Sequence, residues 1–393
     1  MPAEVTVRKQ PAVSRVTLFG PFRGPTGYDH HVREFARELD RQKVKVGLLY
    51  LPAWSPVRLT EELPWFDERL TRQLETTVLQ FCLPPQVIRW PNIRIINYTM
   101  FEATRAPAEW IARSKNHDLV ILPTESSKQA WLAGGMSPER IRLCPLGVDP
   151  ALYGATTPPR KLPGAQYGTR FLNVSAYGPR KNLKGLLRAW KCATSRRDDA
   201  VLLLKAGCYE PRSRASLESD LEGMESAAPV QVIHDLLSDA EMPSLYAAAT
   251  HYISMSHGEG WDQPMMEAAA SGLKLISPWH SAYQTYLDDS VATVLPSREI
   301  PVVWTGDAET GELFRGANWW EPDEDAAVAA IRAAIEGRDD GKLSARERIL
   351  TEFTWQKATE CLLEILRHTG SSAKRDRRWF SWWPRRNSCV RPD

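Results

Sequence analysis

The chain has 393 residues, 43% of them hydrophobic and 25% charged, with 50 Lys and Arg against 48 Asp and Glu. That length exceeds what one hydrophobic core sustains, so two domains facing a cleft are expected, and the composition excludes disorder and repeat arrays. Residues 371–393 hold seven Lys/Arg and two Asp/Glu, and the remainder, at 43 basic and 46 acidic, lacks the concentrated basic surface that binding to nucleic acid requires.

The opening MPAEVTVRKQ lacks the apolar stretch of a signal peptide, and no run of about 18 apolar residues follows, so a cytoplasmic location is expected. Residues 15–19 (RVTLF) form a short apolar run broken at Gly20-Pro21, which reads as a buried strand. A loop, GPFRGPTGYD, follows, with Asp29 as the expected cap of HHVREFARELDRQ, in which Val32, Phe35, Ala36 and Leu39 recur at helical spacing. VKVGLLYL then reads as a second strand. Strand, Gly-rich loop, helix and strand make a βαβ unit, which implies a parallel sheet that binds its ligand at the strand C-termini.

IRIINYT, DLVILPT and RIRLCPLG supply further strands of the first half, and the Pro- and Gly-rich stretch 154–168 reads as a linker. The pattern restarts with RFLNVSAY, VLLLKAG, VQVIHDL, THYISMS, LKLISP and ATVLP, separated by helical runs such as NLKGLLRAWKCA and MMEAAASG. The expected fold class is therefore α/β, with two Rossmann-like, doubly wound parallel-sheet domains facing a cleft. Their expected bounds are 1–155 and 165–354, with a C-terminal helix at 355–369 and a basic, Trp-rich tail at 370–393 that is expected to be poorly ordered. Six cysteines show no CxxC or Cys/His spacing and read as buried small hydrophobes rather than a zinc site or disulfide framework.

The sharpest segment is THYISMSHGEGWDQPMMEAAASGLKLISP. A strand runs into HGEGWDQ, Pro264 suits a first helical turn, Gly272 suits the C-terminal cap, and the next strand follows. Glu259 lies in the loop and Glu267 in the helix, with seven residues between them. Gly258 and Gly260 permit a close backbone approach to a ligand, and the helix start favours an anion. Carboxylates accept hydrogen bonds only, so two of them at such a site suit the paired hydroxyls of a sugar and a ribose. Taken singly, Glu267 is a favourable acid near a helix start and Glu259 a solvated loop residue; the complete strand, loop, helix and strand context favours a site.

This segment resembles the donor-binding motif of the retaining glycosyltransferases of family 4, whose hallmark is Glu, seven residues, Glu, on the two-domain GT-B fold. The resemblance implies that Glu259 contacts the transferred sugar and Glu267 the nucleotide ribose, with Gly260, Trp261, Asp262 and Gln263 lining the donor. Trp261-Asp262 replaces the frequent Phe-Gly. AYGPRKN before NLKGLLRAWKCA resembles the family's other donor motif, which implies that Arg180 and Lys181 bind the diphosphate; Ala176 stands where many members carry Arg. Two cations ahead of a helix capped by Asn182 oppose its dipole unless an anion is present. Gly24-Pro25-Thr26-Gly27-Tyr28 resembles the N-terminal Gly-rich loop, which implies a phosphate contact through Gly27 and Thr26. NYTMFEATRAPAEW resembles a segment of the cleft floor, and Glu102 there is a candidate acceptor contact, whereas His30 and His31 read equally as ordinary helix residues.

The resemblance implies a retaining transferase using a nucleotide-sugar donor as co-substrate, with no cofactor and no metal, and a glycan or lipid-linked acceptor. It implies a C-terminal helix that crosses back to the first domain. Asp323-Glu324-Asp325 has the spacing of a metal-binding motif, but directly before AAVAAIRAAI it reads as helix capping. The tail KRDRRWFSWWPRR combines cations with Trp, a pattern that suits peripheral contact with an anionic membrane surface or single-stranded nucleic acid and reads equally as an inert tail. A sugar-nucleotide epimerase of the same architecture and a noncatalytic nucleotide-sugar-binding protein are the competing readings. An NAD-dependent oxidoreductase fits less well, because GPFRGPTGYD is not GxGxxG.

Overall fold

The computed structural model describes residues 13–55, 57–59, 63–154, 156–207, 211–339 and 343–368. The basic, Trp-rich tail, Cys208 and Cys389 lie outside them. Among the described residues no helix is long and apolar enough to cross a membrane.

The first sheet contains β1 (Arg15–Gly20), β2 (Lys45–Tyr50), β3 (Thr77–Phe81), β4 (Arg94–Tyr98), β5 (Leu119–Leu122) and β6 (Ile141–Leu143) in the order β2-β1-β3-β4-β5-β6, with every pairing parallel. The second contains β7 (Thr169–Ala176), β8 (Ala200–Gly207), β9 (Val230–Val232), β10 (His251–Ile253), β11 (Lys274–Pro278) and β12 (Thr293–Leu295) in the order β12-β11-β10-β7-β8-β9, again all parallel. In each sheet the strand order reverses beside the first strand, and an open parallel sheet binds ligands in the crevice at that switch. The loops after β1, β7 and β10 leave the sheets there, and they carry the three glycine-rich or basic motifs read from the sequence.

Two elements escape the pattern. β3 is short and follows the polar run RQLET, so no long apolar stretch announces it. β13 (Ser297–Pro301) and β14 (Asn318–Pro322) pair antiparallel as a hairpin interrupted by a short helix, with Pro and charged residues in place of apolar alternation.

The helix Gly27–Arg41 buries the stripe Val32, Phe35, Ala36 and Leu39 as its spacing requires. Its cap is Thr26, whose side chain accepts from the Asp29 amide, and not Asp29. Asp29 is instead buried in the first turn of the helix and reaches back to the loop, where it accepts from the Gly24 amide at 2.7 Å and the Thr26 hydroxyl at 2.5 Å. Asp323 does cap the helix Glu324–Ile335, by accepting from the Ala326 amide. Cys82 and Cys144 are buried, but Cys361 is half-buried and Cys192 exposed, so the expectation of uniformly buried thiols fails at the last two.

The main apolar cluster runs through both halves, from Leu18, Phe35 and Tyr98 to Leu172, Leu203 and Tyr252, with Trp261, Tyr153 and Trp355 in the same cluster. The final helix, Trp355–His368, packs on the first: Trp355 lies edge-on to Phe35 at 5.2 Å, Gln42 donates to the Gln356 carbonyl, and Arg94 donates to the Leu366 carbonyl. The hairpin also crosses between halves. Phe314 stacks on Phe101 at 5.1 Å, and the Asn318 amide donates to Thr104 Oγ1 while the Thr104 amide donates to the Asn318 carbonyl.

Candidate functional site

The turn after β7, Pro179–Lys181, ends at Asn182 with φ 49°, a left-handed conformation that Asn tolerates. The Asn182 carboxamide accepts from the Gly185 amide and starts the helix Leu183–Ala193, which buries Leu183, Leu186, Leu187 and Trp190. That anchoring holds Arg180 and Lys181 at the sheet edge. The adjacent loop after β10 is tied to the turn by two backbone groups, since the His257 amide donates to the Arg180 carbonyl and Arg180 Nη1 donates to the Gly258 carbonyl at 2.6 Å.

Glu259 is 4% exposed and stands between the two cations. Lys181 Nζ lies 2.6 Å from its Oε1, Arg180 Nη1 3.0 Å from its Oε2, and Ser256 Oγ donates to Oε1 at 2.7 Å. Burial pushes the carboxyl up, but Lys181 and Arg180 outweigh it and hold the group down at about 2, so Glu259 is ionised. Burial also works against the Arg180 guanidinium, which Glu259 and Glu102 nevertheless keep charged. The cations of this turn therefore already have an anion, the Glu259 carboxylate, which corrects the sequence-based expectation that they stand unbalanced without a bound ligand.

The opposite half closes over this loop. Glu102 Oε1 lies 3.9 Å from Arg180 Nη2. A Cβ on Gly258 would collide with the Glu102 carbonyl, and one on Gly260 with Met100 Sδ. The two glycines thus permit close approach to the segment 100–102 across the cleft, and not only to a ligand as their spacing suggested. Gln263 Nε2 donates to the Gly147 carbonyl at 2.9 Å, a further bond between the halves, while its Oε1 is buried without a partner.

The remaining loop residues face inward. The ring of Trp261 packs against Tyr286 and Phe353 in the core. Asp262 has φ 61° and accepts from Tyr283 Oη at 2.6 Å. Burial and the Glu259 charge push its carboxyl up to about 6. Glu267 accepts from Tyr246 Oη at 2.7 Å and lies 3.9 Å from His30 Nε2. Burial raises its carboxyl above the usual range despite the opposing influence of His30 and Tyr246. Burial first, and then the charges of Asp262, Glu259 and Glu267, raise the Tyr252 hydroxyl well above its ordinary value.

On the first half, Gly27 has open space above it: a Cβ there meets only the His31 ring, at 3.9 Å. Thr26 Oγ1 is committed to Asp29 and to Trp54 Nε1, which donates to it at 3.0 Å. Sequence reading passed over Arg33, Asp239 and His280. Arg33 binds Asp239 of the other half through two 2.8 Å hydrogen bonds, and His30 Nδ1 lies 3.3 Å from the same carboxylate. Burial lowers His30, but Asp239, Glu34 and Glu267 raise it above its ordinary value on balance; burial, His30 and Arg33 hold His31 well below. Among the described residues, His30, Glu34 and Asp239 bring ligand atoms within 4.8 Å of one another, but Arg33 and Arg37 already pair with these carboxylates.

No family model and no curated protein sequence matches the chain. Solved structures do. HepE from Anabaena, in complex with UDP and glucose, superposes with a TM-score of 0.62 at 12% identity, covering 90% of this chain and 99% of its own. Sucrose-phosphate synthase from Thermosynechococcus elongatus gives 0.62 at 17% identity, covering 90% and 98%, and the lipopolysaccharide outer core galactosyltransferase WaaB, in its apo form, gives 0.55 at 13%, covering 90% and 99%. These likenesses establish the architecture, the GT-B fold.

Proposed function

We propose that the protein is a glycosyltransferase that moves a sugar from a nucleotide-sugar donor to an acceptor hydroxyl with retention of configuration and without a metal. The observation that carries the reading is the Glu259 carboxylate clamped between Lys181 and Arg180 at the switch point, facing the other half across the cleft. A diphosphate arriving there competes with Glu259 for the two cations. Once they turn to the leaving group they stabilise its growing charge, and Glu259 is freed to accept from sugar hydroxyls. Glu267, with its neighbours Tyr246 and His30, suits a ribose. Gly27 offers a surface without a side chain opposite the phosphates. Glu102, beside Arg180, suits a contact with the acceptor, a glycan or lipid-linked saccharide. Because HepE was solved with UDP and with UDP-glucose, UDP-sugars are the first donors to test.

The tail's cations and tryptophans suit a peripheral role at the inner face of a membrane. The test is a screen of tagged UDP-, GDP-, ADP- and dTDP-sugars for saturable binding, hydrolysis and transfer, with Glu259→Ala alongside. The reading expects one donor class to bind and turn over, and the variant to bind nucleotide yet lose transfer. Conversion of donor to an epimer without an acceptor would favour an epimerase, and binding without any turnover a sensor.

A further inference from the structure

We propose that His280 is a positioning residue for Glu259, joining the two serines that hold the Glu259 backbone and carboxylate while Trp320 of the hairpin clamps its ring. The proposal rests on the donor-site reading above. His280 is buried in the turn after β11 and belongs to none of the motifs that suggested the site. Its Nε2 lies 2.9 Å from the Ser256 carbonyl oxygen and its Nδ1 2.8 Å from Ser281 Oγ. Ser256 Oγ in turn donates to Glu259 Oε1 at 2.7 Å, and Ser281 Oγ accepts from the Glu259 amide at 3.1 Å.

These partners define the tautomer of a neutral ring. A carbonyl only accepts, so His280 Nε2 carries hydrogen. Nδ1 is then the acceptor in a neutral ring, and the Ser281 hydroxyl donates to it, which leaves the serine lone pairs for the Glu259 amide. Burial holds the imidazole down at about 3, consistent with that neutral form; Glu259 and His257 are the titratable groups that act on it. Ser281 adopts φ 44°, a strained conformation for a residue with a Cβ, and strain of this kind persists where surrounding contacts dictate it.

The ring is held from outside by β14. Trp320 stacks on His280 at 5.3 Å with 9° between planes. Successive strand residues face opposite ways, and Trp319 stacks on His257 and packs edge-on against Phe314, which lies on Phe101 of the first half. One strand thus touches both the aromatic contact between halves and the holder of Glu259, so the hairpin ties the seating of the two halves to the orientation of that carboxylate.

The experiment combines imidazole nitrogen NMR on the wild type with kinetics of His280→Ala, His280→Gln and Trp320→Ala. The ring is expected to stay neutral, with the proton on Nε2, from pH 8 to pH 5. His280→Ala is expected to lower kcat by about 10- to 100-fold, the cost of a misplaced group, while donor KM moves less than about threefold and the pH–rate profile keeps its shape. His280→Gln, which retains an N–H donor and an acceptor, recovers most of the loss, and Trp320→Ala, which removes the stacking partner, lowers kcat in the same direction with donor KM little moved. An unchanged kcat in His280→Ala, a loss confined to KM, or the disappearance of a pH inflection overturns the proposal. If no donor turns over in the wild type, the donor-site reading falls instead, and the NMR still decides: a charged ring, or one protonated on Nδ1, dismisses the positioning network. Should His280→Ala fail to fold, the glutamine variant and the NMR carry the test.

Discussion

Arg33 and Asp239, 206 residues apart, are joined by a bidentate ion pair whose two hydrogen bonds are each 2.8 Å, and the pair links the first helix of one half to the loop after β9 of the other. Arg33 is 1% exposed and also donates to the carbonyls of Phe22 and Gly24, so the clamp fixes the Gly-rich loop relative to the second sheet.

Removing one partner of such a buried pair leaves an uncompensated charge. Asp239→Leu and Arg33→Met are each expected to destabilise the fold by about 3–5 kcal/mol, whereas the two together recover most of that loss. Denaturant unfolding of both single variants and the double variant measures the coupling; equal losses for the double and the sum of the singles would deny that the two residues interact.

The glycines facing the opposite half differ in what they face. A Cβ at Gly258 meets a backbone carbonyl, that of Glu102, which cannot move alone, while one at Gly260 meets the flexible Met100 side chain. Gly258→Ala is therefore expected to reduce transfer at least about tenfold more than Gly260→Ala, by forcing the halves apart. Steady-state kinetics of the two variants, with small-angle scattering to follow cleft opening, checks the order.

Glu259 has its folded-state carboxyl held down at about 2, below its ordinary value, so the stability it contributes is complete above roughly pH 4.5 and is lost as pH falls towards 2. Glu259→Gln is expected to cost on the order of 3 kcal/mol at pH 7 and much less near pH 2.5. Urea melts at the two pH values supply the comparison, and a difference independent of pH would mean that the ion pairs contribute nothing.

Asp262 has the opposite sign. Its carboxyl is pushed up to about 6, so the folded state binds the proton more tightly than the unfolded chain, and stability falls as pH rises from about 4 through 6. Asp262→Asn keeps an acceptor for Tyr283 without the buried charge. It is expected to be more stable than wild type by on the order of 2 kcal/mol at pH 7.5, with the gap closing below pH 4, while transfer declines. Thermal unfolding across that pH range tests the stability claim, and an unchanged gap at both ends would remove Asp262 as its source.

The amino-acid sequence alone settles the fold class, because runs such as VLLLKAG and LKLISP are apolar throughout, as strands covered on both faces must be, and they alternate with helical stripes. It also determined that Glu259, Arg180 and Lys181 lie at one sheet edge, since strand-to-helix loops in parallel sheets all emerge there. The short strand β3 and the hairpin β13–β14 were not legible, because polar and Pro-containing runs become strands only when a neighbouring strand or an aromatic partner such as Phe101 is present. Folding alone brings Glu259 onto the two cations, Arg33 onto Asp239, and His280 onto Ser256 and Ser281 beside Glu259. Each of these contacts joins residues from distant parts of the chain or from separate loops, and a hydrogen bond depends on their meeting within about 3 Å, a condition that periodicity and spacing along the chain do not encode.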